Sequence, residues 1–113
     1  MYVPRPFAPS AEVVRELLGA ISVGHLVTAT ATGPQATLVP WVVDADGQVL
    51  VGHLARPNPQ WMSRTLGEAL VVCGGPNAYV SPSWYATKAE HGRVVPTWDY
   101  LTLQLFGTLI VHD

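Results

Sequence analysis

Hydrophobic positions change period along this chain. Between residues 10 and 21 they recur at helical spacing: Val13, Val14, Leu17, Leu18 and Ile21 fall on one stripe. Ser10 precedes the stripe as a helix cap, and Glu12 and Glu16 lie early, where the helix dipole favours negative charge. Gly19 and Gly24 bracket the end of this helix. Residues 1–9 carry Pro4, Pro6 and Pro9 and read as an extended lead-in.

From residue 25 onward the spacing is that of strands. Six are predicted, over residues 25–31, 36–43, 48–54, 69–73, 78–81 and 101–111. Thr32-Gly33-Pro34 turns the chain after the first, and Asp44-Ala45-Asp46-Gly47, with its Asp-to-Gly spacing, makes the next hairpin. After the third strand Asn58 caps a short helix with Pro59 in its first position, running through Trp61, Met62 and Leu66 to Gly67. Pro82 cannot donate to a strand ladder and ends the fifth strand. A long polar and aromatic loop follows to Pro96, and residues 97–100 lead into a sixth strand where Leu101, Leu103 and Leu105 alternate with Thr102 and Gln104. Tight turns with one long crossing predict a mainly β fold. It is a six-stranded antiparallel barrel with an N-terminal helix and one short helix after the third strand.

Composition narrows this picture. The 113 residues suit a single domain over residues 1–113. They are 49% hydrophobic but 12% charged, where a soluble domain averages about 25% charged. That excludes disorder. Six Lys and Arg with eight Asp and Glu are few for the surface of so small a monomer, which implies burial by a second copy. A net charge of −2 gives no electrostatic footprint for duplex DNA. The single cysteine, Cys73, excludes an internal disulfide and a Cys-rich zinc site. No apolar run reaches the ~18 residues of a membrane helix, and the N-terminus is not a signal peptide, so a cytoplasmic protein is expected.

Three segments can carry chemistry. In Gly52-His53-Leu54-Ala55-Arg56-Pro57-Asn58-Pro59-Gln60-Trp61 a strand ends and a capped helix opens, with a guanidinium between. Helix N–H groups and Arg56 make an anion site, with His53 as a further donor, or the segment is an ordinary turn with Arg56 in solvent. Residues 75–85, with Lys88 beyond, place aromatics and hydroxyls around a proline kink. They either wall a flat, π-rich pocket or let Trp84 and Tyr85 plug a barrel end or dimer interface. In residues 94–100, Thr97 offers a donor and Trp98 an apolar face, or the segment is a strand entry held by aromatic packing.

The distribution of cations bears on all three segments. Arg56, Arg64, Lys88 and Arg93 lie where the chain leaves its strands, whereas residues 16–52 hold no Lys or Arg. That suits a small phosphorylated ligand. His25, His53, His91 and His112 have no metal-site spacing. There is no phosphate-binding Gly-rich loop, nucleophile elbow or dinucleotide fingerprint. Cys73 lies in an apolar strand and reads as an inert buried thiol.

On these segments the chain resembles the PaiB family of FMN-binding negative transcriptional regulators. The resemblance rests on Met1-Tyr2-Val3-Pro4 with Phe7, Leu26-Val27-Thr28, the Gly52-to-Trp61 segment, Ala78-Tyr79-Val80-Ser81-Pro82-Ser83-Trp84-Tyr85 and Val95-Pro96-Thr97-Trp98. It implies a split β-barrel homodimer with FMN at the subunit interface. It also implies that His53, Arg56 and Asn58 lie near the phosphate. Thr37, Leu38, Val39 and Pro40 would run beside the isoalloxazine, and Ser83, Trp84, Lys88, Thr97 and Trp98 would line the pocket, some from the partner chain. The family pattern has histidine where this chain has Leu38 and Gln104, and asparagine where it has Asp99. Family members also continue beyond position 113. The leading expectation is an FMN-binding protein of the regulator type that acts without direct DNA contact. The alternatives are a flavin-dependent oxidoreductase, with Tyr85, Thr97 or His53 positioning substrate, and a barrel that no longer binds FMN.

Overall fold

The computed structural model describes residues 1–81 and 97–112. After a 3-10 turn at Arg5–Phe7, helix α1 (Ala11–Gly19) starts where Ser10 Oγ accepts the Val13 N–H at 3.3 Å. Five strands follow: β1 (Val23–Thr30), β2 (Gly33–Val43), β3 (Leu50–Gly52), β4 (Ala69–Val80) and β5 (Thr97–Gly107). Helix α2 (Pro59–Met62) lies between β3 and β4. The strands form one antiparallel sheet in the order β3-β2-β1-β4-β5. β3 and β5 are its two edges and do not pair, the arrangement of a split barrel.

Among the described residues the sheet has five strands rather than six, because the predicted fourth and fifth strands are one. At Gly74-Gly75-Pro76 the register steps from Gly74 opposite Thr102 to Asn77 opposite Tyr100, a bulge that absorbs one residue and the missing proline N–H. A Cβ on Gly75 would lie 2.9 Å from Leu101 Cδ2, so this close approach needs glycine. Other ends moved for similar local reasons. The predicted strand at 48–54 shrinks to Leu50–Gly52 because Asp44 Oδ1 accepts the N–H groups of Gln48 (2.7 Å) and Val49 (2.9 Å), holding both in the turn. Helix α2 stops at Met62, short of Gly67. The Ser63 hydroxyl and N–H both turn to the Pro59 carbonyl, and the Leu66 N–H goes to Ala29 O at 2.8 Å. The last strand begins at Thr97 and ends at Gly107, so residues 108–111 lie beyond it.

Register separates the sheet into two faces. The inner face carries the buried core of Leu26, Val39, Ala69, Val71 and Cys73, with Ile21, Trp41, Leu50, Leu54, Leu103, Leu105 and Leu109 packed around it. The outer face carries two rows across four strands, Leu38–His25–Val72–Gln104 and Ala36–Val27–Leu70–Phe106, with no Lys, Arg, Asp or Glu in either. Beyond the bulge, β4 and β5 pair with each other and with no other described strand, and Tyr79 and Tyr100 are exposed.

Candidate functional site

The open seam of the barrel is a cleft of ≈ 560 Å³. One lip is β3 with its exit, residues 49–54 and Arg56; the other is residues 108–112, which follow β5. Leu26, Val39 and Trp41 form the floor between them, and Trp61 of α2 adds a wall. The volume lies within the ~300–1,000 Å³ common for small-molecule pockets.

Both indoles are held by backbone acceptors. Trp41 Nε1 donates to Gly24 O at 3.2 Å. Its ring lies over Gly52, where a Cβ would come within 2.7 Å of Trp41 Cε3. Trp61 Nε1 donates to Arg56 O at 2.8 Å, tying the second indole to the turn that carries the guanidinium. That turn is closed by Asn58 N–H to Ala55 O at 2.8 Å.

Helix α2 is seated by polar contacts. Asn58 Oδ1 accepts the Gln60 N–H (2.9 Å) as the cap, while its Nδ2 donates to Thr37 Oγ1 (3.0 Å). Gln60 is 1% exposed. Its Nε2 reaches Leu26 O (3.0 Å), Thr28 Oγ1 (3.0 Å) and Gln35 O (3.2 Å). Gln60 Oε1 has no hydrogen-bond partner among the described residues.

The ionisable side chains lining the cleft among the described residues are His53, Arg56 and His112, with no carboxylate. In a chain of net charge −2 that makes the cleft a local positive site suited to an anion. Apolar walls, two indoles, one guanidinium and two imidazole rings together suit a planar ligand with an anionic end. Burial pushes the Cys73 thiol above its ordinary pKa, which keeps it neutral and unreactive.

The residues singled out from sequence fall in several places. His53, Arg56 and Val39 line the cleft. Thr37 and Asn58 line a neighbouring groove with Gln35 and Gln60. Leu38, 58% exposed, and Pro40 lie on the outer face of β2, since side chains alternate along a strand. Thr97 and Trp98 begin β5, and an eleven-residue strand carries them about 33 Å from Gly107, where the cleft's second lip starts. Asp99 is exposed opposite Ala78. Ser83, Trp84 and Lys88 lie outside the described residues, as do Arg93 and His91. Arg64 is exposed and does not line the cleft.

Trp41, Trp61 and His112 are cleft residues that sequence reasoning did not select. Trp41 had a signal: it lies two residues from Val39, on the same face of a strand. His112 had none, because its place depends on how the edges of the sheet approach. No helix among the described residues is long and apolar enough to cross a membrane. Among them no three His, Cys, Asp or Glu side chains gather as metal ligands.

Comparison with known proteins agrees with this chemistry. The chain is 34% identical over 95% of its length to "Protease synthase and sporulation protein PAI 2" of Bacillus subtilis, covering 51% of that protein. It is 34% identical over 72% of its length to an uncharacterized protein of Saccharomyces cerevisiae, of which 51% is covered. An uncharacterized protein of Emericella nidulans is also 34% identical, over 69% of this chain and 41% of its own length. The chain thus spans about half the length, or less, of these relatives. The family described as "Putative FMN-binding domain" matches residues 1–113. With its whole length matched and PAI 2 among its relatives, the chain belongs to this FMN-binding family, of the PaiB type to which its motifs pointed.

Proposed function

We propose that the chain is a single-domain FMN-binding module in a cytoplasmic regulator of the PaiB type, and that it acts as a homodimer without direct DNA contact. The observation that carries FMN binding is the seam cleft, where Arg56 and His53 stand beside two fixed indoles with no carboxylate among the described lining residues. FMN fits this donor set, with its phosphate toward Arg56 and His53 and its ring system against apolar and aromatic walls. Asn58 acts from behind, holding the turn through Thr37 and the α2 cap. When bound, FMN supplies reversible electron or hydride acceptance.

One observation supports a second copy. The outer face, with Leu38, Val23 and Phe106 exposed, offers apolar area without charge in its central rows. In that assembly Leu38 and Pro40 meet the second copy. Thr97, Trp98, Ser83, Trp84 and Lys88 line the FMN pocket in this reading, on the strength of the motifs they belong to.

Titrating FMN with the protein and following flavin fluorescence tests this reading. Saturable quenching at one flavin per chain is expected; unchanged fluorescence at high protein concentration overturns it. Sedimentation under the same conditions is expected to give a dimer. Regulation without DNA contact predicts no shift of promoter DNA at ~150 mM salt, where weak nonspecific contacts are screened.

A further inference from the structure

The two lips of the cleft come from opposite edges of the sheet. His53 and Arg56 stand on one lip; His112 stands on the other, beyond the end of β5. No strand pairing joins the lips. Yet the described ionisable groups lining the cleft are these three, all able to donate hydrogen bonds and none able to carry negative charge.

The geometry points to His112 as a further anion-binding residue, which reaches the ligand's phosphate from the lip opposite Arg56, so that a phosphomonoester spans the open seam. This rests on the FMN reading and deepens it, by naming which end of the ligand bridges the two edges. An imidazole donates one N–H when neutral and two when protonated, so His112 serves a dianion in either form. A guanidinium fork on one side and an imidazole on the other would contact different phosphate oxygens. The ligand would then close electrostatically what the hydrogen-bond ladder leaves open. His112 is exposed and outside the core cluster, so its replacement removes a contact without opening the interior.

The test compares FMN with riboflavin, which has the same ring system and no phosphate, on the full chain and on His112→Ala and His112→Gln. Loss of one charge-assisted contact should weaken FMN about tenfold in His112→Ala. Riboflavin affinity should not change, so the preference for the phosphorylated ligand falls by the same factor. His112→Gln, which keeps an N–H donor, should lie between. If the unmodified chain prefers FMN and both variants keep that preference in full, His112 is not at the phosphate and the inference fails while the FMN reading stands. If the unmodified chain binds neither flavin, both fail.

Discussion

Arg56, on the turn after β3, and Gln60, in the helix α2 that follows it, are near neighbours in sequence, yet they serve opposite regions of the molecule. Gln60 is sealed beneath α2 and ties β1 to β2 through two carbonyls and a threonine hydroxyl. Arg56 is exposed at the open seam, where its carbonyl accepts the Trp61 indole N–H. The closed region uses its polar groups on the backbone of the sheet; the open region places a cation on the cleft lining. A binding turn can be held still this way because its far end is buried and its near end is not.

The largest expected effect breaks the closed region. Gln60→Ala removes the buried side-chain donor shared by Leu26 O, Thr28 Oγ1 and Gln35 O and opens a cavity, which should cost about 3 kcal/mol in urea denaturation. Arg56→Ala should do the reverse. Stability should stay within about 0.5 kcal/mol, while FMN binding weakens by about 2 kcal/mol in a fluorescence titration. If the two substitutions shift stability equally, the division between the regions is wrong.

Asn58→Ala sharpens the comparison, because Asn58 belongs to both regions. Losing the α2 cap and the Thr37 bond should cost about 1 kcal/mol of stability, with a smaller loss of FMN affinity through a looser Arg56 turn. Equal FMN affinity in this variant would show that the turn needs no support from α2.

The smallest effect concerns Cys73 and pH. Burial raises its pKa in the folded chain above the unfolded value, so the folded state favours the neutral thiol. The stability from this is fully present below the unfolded thiol pKa and is lost as pH rises through the raised folded value. Stability measured from pH 7 to pH 11 should therefore decline less in Cys73→Ala. Identical slopes would remove Cys73 as a contributor.

Much of the fold was legible because its signals are local. Ser10, the Asp44–Gly47 turn and the Asn58-Pro59 cap each act through hydrogen bonds within a few residues. The alternation in β1 and β2 follows from one buried face. The joined β4 was not legible, since Gly74-Gly75-Pro76 reads as a turn unless the partner strand shows it to be a bulge. In the site, His53 and Arg56 could be chosen because a cation at a strand exit is a local pattern. Leu38 could not be placed, because a motif names positions without saying which face of the strand each takes. Trp61 hides behind the same limit: its role depends on one bond to Arg56 O.

The most direct measurement is a crystal structure of the chain with FMN bound. The account predicts the phosphate at the seam beside Arg56 and His53, with the ring system against Trp41 or Trp61. Flavin density elsewhere on the molecule, with ordered solvent filling that cleft, would contradict it.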